Sequence, residues 1–429
     1  MYRFDTTDTC ARTLDRDDPL KAFRKRFYIP RNTIYMDGNS LGLQSRDAEK
    51  TLKRTLGEWK QLGIRGWLEG EIPWFFLAEK LGSMAAELVG AEASEVVATG
   101  TTTINIHALV STFYNPKGKR KKILSDALNF PSDIYALSSH LKLRGCDPRE
   151  DLIRVSSSDG KTYSEEAIVQ RMTDEVALIF LPSVLYRSGQ LLDMPYLTDE
   201  AQKRGICIGF DCSHSVGAVP HQLDAWGVDF ALWCGYKYLN GGPGCTAFLY
   251  INKNHFHRDP RLAGWFGYVK EKQFDMLPDF EHQKSAGGWQ ISSLGILGSA
   301  PLEGALHLIL EAGMTRIREK SKALTSYLIF LVDHLLSDSP YDFGIGTPRD
   351  PKRRGGHVAL ERKEDGWRIC EALRARGVVP DFRPPNIIRI APVALYNTYH
   401  EVWQVVQYLK EIVDTEAYKK FSKARKAVS

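Results

Sequence analysis

Hydrophobic and polar positions between residues 96 and 250 follow one repeating pattern, in which a short apolar run precedes a segment with helical spacing. The apolar runs that predict strands cover residues 96–98, 122–125, 152–155, 176–181, 206–210, 230–234 and 246–250. Apolar positions at helical spacing predict helices over residues 48–62, 75–89, 104–114, 133–143, 164–172 and 198–204. Strands that alternate with helices predict an α/β fold with a mostly parallel sheet flanked by helices.

The pattern differs at both ends of the chain. A short helix is predicted over residues 18–27 and a brief strand over 34–36, and a glycine- and tryptophan-rich loop over 66–74. One long helix is predicted from Pro301 to about residue 336, with the proline in its first turn. A smaller α/β unit follows, with strands at 357–360 and 387–390 and helices at 366–376 and 399–413; the basic tail after Ala417 is expected to fray.

These changes of pattern predict three parts of the chain. Residues 1–50 form an N-terminal segment that packs with the small domain, and residues 51–300 form the large domain. Residues 301–429 form a bridging helix and the smaller α/β C-terminal domain.

Composition and charge exclude several classes of function. A net charge of +5 over 429 residues is small and argues against nucleic acid as the main partner. The longest apolar runs, such as residues 176–181, are too short to span a bilayer, so no membrane partner is expected. The seven cysteines are scattered without a Cys-x-x-Cys motif, which indicates a reducing cytoplasm. His255 and His257 have no third ligand nearby in sequence, so no metal site is predicted.

Lys237 stands in an unusual sequence setting. It follows the strand 230–234 and Gly235, has a tyrosine on each side, and has no acidic residue within five positions. Burial disfavours the ammonium form of a lysine and makes its amine a nucleophile, which makes Lys237 a candidate for a Schiff base. The alternative is a lysine at a strand edge whose stem covers apolar surface while its amine reaches water.

Asp211 ends the strand 206–210 and precedes His214 by three positions. A lysine that forms a Schiff base, with an acid at a neighbouring strand end, is typical of pyridoxal phosphate enzymes, where the acid keeps the pyridine nitrogen protonated. Acidic residues also end strands as turn formers. Asp211 and Lys237 together favour pyridoxal phosphate more than either residue does alone.

The segment Thr-Gly-Thr-Thr-Thr at residues 99–103 joins a predicted strand to a predicted helix. Unpaired N–H groups and the helix dipole make such a junction suitable for a phosphate. N-capping by one of the threonines is the simpler alternative. Ligands of parallel sheets bind beyond the carboxyl ends of the strands, where Thr102, Ser183, Asp211 and Lys237 all fall.

Aromatic residues supply further candidates. Phe130 could stack on a cofactor ring and Asp133 could accept a hydrogen bond near it, although Ser132 or Asp133 could equally cap the following helix. Trp67 and Trp74 could wall a pocket for a flat ligand, and they could equally belong to the core.

Several stretches, in the same order and spread over nearly the whole chain, resemble the kynureninase family. They are residues 35–42 (YMDGNSLG), 129–133 (NFPSD), 209–214 (GFDCSH), 226–230 (WGVDF), 235–240 (GYKYLN), 264–267 (GWFG) and 388–397 (IRIAPVALYN). The resemblance implies fold type I of the pyridoxal phosphate-dependent transferases. It also implies pyridoxal 5'-phosphate as the cofactor and a homodimer.

The resemblance implies a role for each matched residue. The catalytic residues would be Lys237 as the Schiff-base lysine, Asp211 at the pyridine nitrogen and Tyr236 in proton transfer, although Tyr236 could serve only as a phosphate ligand. The further cofactor-binding residues would be Thr102, Thr103, Phe130, Pro131, Ser132, Asp133, Ser183, His214, Trp265 and Ser293. Trp265 would come from a second subunit. The substrate-binding residues would be Arg389, Trp67, Ser293 and Asn39.

Arg389 is the residue that the resemblance assigns to the substrate α-carboxylate. It stands on the strand 387–390 between apolar neighbours, and we expect no acid nearby to pair with it. A guanidinium binds a carboxylate through two parallel hydrogen bonds.

The reaction that the resemblance implies is hydrolysis of the Cβ–Cγ bond of L-kynurenine to anthranilate and L-alanine. This step serves tryptophan catabolism and NAD biosynthesis. The 3-hydroxylated substrate would give 3-hydroxyanthranilate. Trp67 and Ser293 match positions near the aniline ring and predict a preference for plain kynurenine.

The main alternative is a cysteine desulfurase or selenocysteine lyase of the same fold. Those enzymes place a histidine before the Schiff-base lysine and need a reactive cysteine on a mobile loop. Here Tyr236 precedes Lys237, and Cys370, the only cysteine after Cys245, lies in a helical pattern. A non-catalytic module that binds pyridoxal phosphate is a further alternative, which the full set of acid–base residues disfavours.

Overall fold

The computed structural model describes residues 4–424. Its strands are β1 (Ile34–Tyr35), β2 (Val96–Ala98), β3 (Lys122–Asp126), β4 (Leu152–Val155), β5 (Val176–Pro182), β6 (Cys207–Asp211), β7 (Phe230–Cys234), β8 (Ala247–Ile251), β9 (Gly344–Ile345), β10 (Val358–Glu361), β11 (Val378–Val379), β12 (Asp381–Arg383) and β13 (Ile387–Ile390). Its α-helices are α1 (Asp8–Arg16), α2 (Arg46–Leu62), α3 (Gly66–Glu69), α4 (Leu77–Val89), α5 (Thr102–Phe113), α6 (Pro131–Leu143), α7 (Pro148–Asp151), α8 (Glu165–Val169), α9 (Met194–Lys203), α10 (Ile296–Ala312), α11 (Met314–Leu335), α12 (Gly366–Ala375) and α13 (Tyr399–Asp414).

The apolar runs of the large domain form one seven-stranded sheet in the order β2-β8-β7-β6-β5-β3-β4. Neighbouring strands are parallel except where β8 pairs with β2 and β7. Every residue of β7 and β8 is buried, as expected for strands covered by helices on both faces. The prediction of a mostly parallel α/β fold is confirmed. The carboxyl ends of β3, β5, β6 and β7 therefore lie along one edge of the sheet.

A second, antiparallel sheet in the order β12-β13-β10-β9 belongs to the C-terminal part of the chain. Its Val358 and Ile388 share a hydrophobic cluster with Leu324 of α11. The first 50 residues join both parts of the molecule, because Ala11 belongs to this cluster while Phe23 belongs to that of the large sheet. The division of the chain at residues 50 and 300 stays a prediction.

The predicted single helix from Pro301 to about residue 336 is wrong. The chain forms two helices, α10 and α11, which are separated at Gly313 by a φ of 78°. Glycine reaches this left-handed region at little cost, so the break needs no proline. Pro301 lies inside α10 rather than in a first turn.

Other helix boundaries also differ from the predictions. Residues 21–26 form only a 3-10 helix, and the N-terminal α-helix is α1, where Thr7 Oγ1 accepts a hydrogen bond from Cys10 N at 3.2 Å. The predicted loop at 66–74 contains the short helix α3, and the helix predicted to begin at residue 198 begins at Met194 instead.

The start of the basic tail is ordered. Residues 417–420 form a 3-10 helix, and Arg368 donates hydrogen bonds to the carbonyls of Lys419 and Phe421. Residues 425–429, on which the prediction of fraying also falls, lie outside the described residues. Between residues 4 and 424, no helix combines the length and the apolar character needed to cross a membrane.

Candidate active site

A cavity of about 320 Å³ lies at the carboxyl edge of the large sheet, where this edge meets the small domain. The lining residues come from both domains and from the segment after β1. They are Asn39, Ser40, Thr102, Thr103, Phe130, Ser132, Tyr186, Asp211, Ser213, His214, Tyr236, Lys237, Arg383 and Arg389. The structure thus brings together most of the cofactor-binding residues that the sequence predicted.

Lys237 lies on a tight turn directly after β7. A side chain at Gly235 would contact the carbonyl of Thr246 at 2.6 Å, so only glycine fits between the strand end and the lysine. Lys237 Nζ lies 3.0 Å from His214 Nε2. Burial first, and then the charge of Lys237, hold the pKa of His214 well below its usual range. His214 is therefore neutral, and its Nε2 can accept a hydrogen bond from the Lys237 amine.

Asp211 is the last residue of β6. Its backbone carbonyl accepts hydrogen bonds from Ser183 N at 2.8 Å and from Ser183 Oγ at 3.1 Å. Its Oδ1 accepts one from Ser213 N at 2.7 Å. These bonds fix the carboxylate at the edge of the cavity. Ser183 itself is fully buried and does not line the cavity, so it acts on Asp211.

Asp133 lies in the first turn of α6, which begins at Pro131 after the N-cap Phe130. Burial, followed by the charges of Asp211 and Asp126, raises the pKa of Asp133 well above its usual range. Its Oδ2 is buried without a hydrogen-bond partner among residues 4–424. A protonated Asp133 can therefore donate a hydrogen bond to a ligand. Neither Ser132 nor Asp133 serves as the N-cap residue of α6.

Thr101 is the N-cap of α5, but its side chain makes no capping hydrogen bond. The alternative in which the Thr101 side chain caps α5 is therefore not supported. Thr102 and Thr103 form the first turn of α5 and line the cavity. Their hydroxyls and the unpaired N–H groups of the first turn suit an anion.

The cavity fits pyridoxal phosphate on several separate observations. It offers an amine at Lys237, a carboxylate at a strand end in Asp211, and a helix N-terminus for the phosphate. Two buried polar atoms, His214 Nδ1 in the cavity and Asp133 Oδ2 in the first turn of α6, have no hydrogen-bond partner among residues 4–424, as expected where a polar ligand binds. Phe130 is partly exposed, with its ring edge-on to that of Tyr186 at 5.3 Å.

The expectation that Arg389 has no acid nearby is wrong. In the β12–β13 ladder Asp381 lies directly opposite Arg389; Arg389 Nε donates a hydrogen bond to Asp381 Oδ2, and Nη2 lies in ion-pair contact with the same oxygen. Arg389 Nη1 also donates to the carbonyl of Tyr186 at 2.6 Å. Burial is the largest influence on the Arg389 pKa and lowers it, while the charge of Asp381 opposes this effect. The sequence separation of eight residues concealed a pair that the hairpin creates.

Asn39 is fully buried, and neither of its side-chain polar atoms has a partner among the described residues. Burying an unpaired amide is costly unless a ligand completes its hydrogen bonds. Asn39 lines the cavity beside Ser40, whose Oγ accepts a hydrogen bond from Arg389 at 3.3 Å. This position is consistent with the predicted role in substrate binding.

Trp67, Trp265 and Ser293 are not brought to Lys237 within one chain. They line a second cavity of about 500 Å³ that shares no residue with the first. Its walls are mainly apolar, and the Trp67 ring lies 6.0 Å from that of Phe266. Trp74 is buried and belongs to the core, with its ring edge-on to that of Trp67 at 6.1 Å.

Sequence reasoning missed several residues of the first cavity. Ser40, Ser213, Tyr186 and Arg383 line it, and Asp381 lies behind it. The sequence does contain a signal for Asp381 and Arg383. These two residues alternate with an apolar residue, as on a β-strand, and therefore share one face of it. No comparable signal marks Tyr186, which lies in an irregular loop.

Family models place these features in a known context. A model described as "Kynureninase C-terminal domain" matches residues 317–409, and one described as "Aminotransferase class-V" matches residues 50–343. A kynureninase from Geobacillus thermodenitrificans is 58% identical over 98% of this chain and 97% of its own. A kynureninase from Bacillus anthracis is 55% identical over the full length of both chains.

The chain belongs to the kynureninase family. Fold type I and pyridoxal phosphate as the cofactor are confirmed with it.

Solved structures with the same fold come from other enzymes. A cysteine desulfurase from Thermococcus onnurineus has a TM-score of 0.78, with 17% identity over 92% of this chain and 98% of its own. A mutant of C-DES with glycine covalently linked to its PLP cofactor also has a TM-score of 0.78, with 16% identity over 90% of this chain and 98% of its own. At such low identity these likenesses show the fold alone, so they do not favour a desulfurase over a kynureninase.

Proposed function

We propose that this member of the kynureninase family hydrolyses the Cβ–Cγ bond of L-kynurenine, and of 3-hydroxy-L-kynurenine, with release of L-alanine. The observation that carries the proposal is one cavity holding Lys237, Asp211 and Arg389 in a chain 58% identical to a kynureninase. The aromatic products are anthranilate and 3-hydroxyanthranilate, respectively. This hydrolysis is a step in tryptophan catabolism and NAD biosynthesis.

Different residues of the cavity would bind different parts of the cofactor. Asp211 would hold a proton on the ring nitrogen, the first turn of α5 would bind the phosphate, and Phe130 would stack on the ring. When bound, pyridoxal phosphate supplies the electron sink for the bonding electrons of the substrate Cα. Lys237 would hold the cofactor covalently until the substrate amine takes its place.

Lys237 then serves as the base that removes the α-proton. The neutral His214 is at 3.0 Å and can accept a hydrogen bond from the lysine, which orients the amine toward the substrate. Because burial lowers the pKa of His214, it does not compete with Lys237 for this proton.

Tyr236 is placed to hold a second proton. Burial is the main cause that raises the pKa of its phenol, so at neutral pH the hydroxyl stays protonated and can donate. We assign it to proton transfer near the substrate γ-carbonyl, where water adds before the C–C bond breaks. In the alternative role it binds only the phosphate.

The substrate carboxylate would bind at the opposite end of the cavity. Arg389 is 1% exposed and is fixed there by Asp381, Tyr186 and Ser40. The amide of Asn39, which lacks other partners among the described residues, completes this end.

The protein would act as a homodimer. The second cavity is walled by side chains that are exposed in a single chain, with Ile64 at 80%, Leu68 at 65% and Phe274 at 62%. Large contiguous apolar patches of this kind mark interaction sites. A second copy that covers this surface would bring Trp67, Trp265 and Ser293 of one chain toward the first cavity of the other. The enzyme would work in the cytoplasm.

The test is the release of fluorescent anthranilate from L-kynurenine by the purified protein loaded with cofactor. We expect turnover of kynurenine and no sulfide from L-cysteine; sulfide without anthranilate would favour a desulfurase instead. Lys237→Ala should retain the far-UV circular dichroism spectrum of the wild type and lose the ability to cleave kynurenine. Borohydride reduction and peptide mapping of the wild type should tag Lys237, and a tag on another lysine would contradict the assignment.

A further inference from the structure

The hairpin of β12 and β13 presents three neighbouring charged side chains to the cavity end of the small domain. Asp381 and Arg383 are two residues apart, so they lie on the same face of the strand. Arg389 is opposite Asp381 in the antiparallel ladder. Phe382 points to the other face, where its ring packs 5.6 Å from that of Trp367.

Most of the hydrogen-bonding capacity of Arg389 is used within the protein. Its Nε donates to Asp381, Nη1 donates to the carbonyl of Tyr186, and Nη2 donates to Ser40 Oγ and also lies in ion-pair contact with Asp381. A guanidinium has five N–H donors, so about two remain without a hydrogen bond to the protein. The Arg389–Asp381 pair is also electrically neutral, which weakens its attraction for a substrate anion.

Arg383, in contrast to Arg389, remains available to a ligand in the cavity. Its Nε lies 3.1 Å from Asp381 Oδ2 without hydrogen-bond geometry, and this Nε is buried with no hydrogen-bond partner among residues 4–424. Its side chain is 31% exposed and lines the same cavity as Lys237 and Arg389. Two arginines therefore share the carboxylate of Asp381, so these three side chains together carry one surplus positive charge.

We propose that Arg383 is a second contact for the substrate α-carboxylate, with Asp381 as the shared counter-ion that positions both arginines. The inference rests on the proposed function, because it concerns the same site. In this arrangement Arg389 is buried and held in a fixed position, whereas Arg383 is partly exposed and can offer a fork of two N–H donors to the carboxylate.

The test compares L-alanine with L-alaninamide, in which a neutral amide replaces the carboxylate, by calorimetric titration of the holoenzyme. Arg383→Gln should weaken L-alanine binding about ten- to hundredfold, as expected for a lost charged hydrogen bond, and leave L-alaninamide binding nearly unchanged. The KM for kynurenine should rise by a similar factor while kcat changes about threefold at most. Arg383→Lys should recover part of the L-alanine affinity.

The matched control is Arg353→Gln. Arg353 is 35% exposed and pairs with Glu165 outside the cavity. Its substitution therefore removes an ion pair similar to that of Arg383 and Asp381 but leaves the residues of the cavity unchanged. An unchanged ratio of L-alanine to L-alaninamide affinity in Arg383→Gln would overturn the proposal and leave Arg383 as a structural partner of Asp381. If Arg383→Gln does not fold, an L-alanine affinity of wild-type strength in Arg383→Lys would also contradict it, because lysine cannot offer the fork. A wild type that binds L-alanine through Arg383 but releases no anthranilate would refute the proposed function alone.

Discussion

Asp37, in the loop after β1, shows how a single residue can couple the cavity to pH. Burial first, and then the negative charge of Asp381, raise the pKa of Asp37 to about 6, while a hydrogen bond from Ser40 and the charges of Arg389 and Arg383 oppose the shift. Its Oδ1 is buried without a hydrogen-bond partner among the described residues. Below that pKa Asp37 is neutral, and the two arginines keep a surplus positive charge. Above it, a second negative charge beside Asp381 cancels the surplus.

Substrate carboxylate binding should therefore weaken as the pH rises through about 6. Asp37→Asn removes the charge, so the variant should match the wild type near pH 5 and bind L-alanine about three- to tenfold more tightly near pH 8. Calorimetric dissociation constants across this range provide the measurement.

The control for this prediction is Asp15→Asn. Burial also raises the pKa of Asp15, but its carboxylate accepts hydrogen bonds from Tyr399 N and His400 N at the start of α13. Its substitution should leave the pH dependence of ligand binding unchanged. Equal affinities of wild type and Asp37→Asn at pH 8 would show that Asp37 does not act on the carboxylate.

Trp67 allows a prediction about substrate choice. A hydroxyl on the substrate ring that is buried against this indole without a partner loses about 1–3 kcal/mol of water contacts, and Ser293 can restore part of this. We expect kcat/KM to favour kynurenine over 3-hydroxykynurenine by about tenfold, and Trp67→His to reduce the ratio. A wild type that favours the hydroxylated substrate would refute the idea. A ratio near one that Trp67→His does not change would make Trp67 structural.

At the scale of elements, the close packing of α2 against α10 supports the large domain. A side chain at Gly304 of α10 would overlap the backbone of Asp47 in the first turn of α2. Arg54 of α2 also pairs with Glu303 of α10, which is nearly buried. The small size of Gly304 therefore sets the distance between the two helices.

Gly304→Ala should destabilise the protein by about 1–3 kcal/mol, because neither backbone can shift without opening this contact. Gly298→Ala in the same helix is the matched control, since its added methyl group meets no atom within 4 Å. That substitution should be neutral or stabilise by about 0.5–1 kcal/mol, because alanine favours the helix. Urea unfolding would measure both. Equal stabilities of the two variants would show that the helices move apart freely.

At the scale of the whole molecule, the chain holds two cavities that a dimer would join. The first contains Lys237, and the second contains Trp67, Trp265 and Ser293 among exposed apolar side chains. Under the proposed homodimer, each complete site draws on both chains.

Mixing two inactive variants tests this arrangement. Lys237→Ala damages the first cavity and Trp265→Ala the second, so one site of each hybrid dimer is intact. After unfolding and refolding together, an equal mixture should regain about a quarter of wild-type activity, because half of the dimers are hybrids with one good site of two. The parents, refolded separately, should stay inactive. No recovery in dimers verified as hybrid by mass spectrometry would place Trp265 outside the partner's site.

The sequence by itself determined the features that depend on local pattern. Strands β2, β4, β7 and β13 were predicted at their observed bounds, because short runs of mainly apolar residues between turns leave little choice. Lys237 and Asp211 were found because each directly follows or ends such a run, and parallel strand ends meet at one edge. The motif resemblance added the family, which the comparisons confirm.

Only the tertiary structure decided which side chains meet across the chain. The short hairpin of β12 and β13 placed Asp381 against Arg389, although their sequence separation suggested no pair. The break between α10 and α11 required a positive φ at Gly313, which a continuous apolar pattern does not reveal. The placement of Trp67, Trp265 and Ser293 in a cavity apart from Lys237 depends on the packing of distant loops. Such contacts arise from the global fold rather than from local spacing, because burial and pairing energies are decided between segments far apart in sequence.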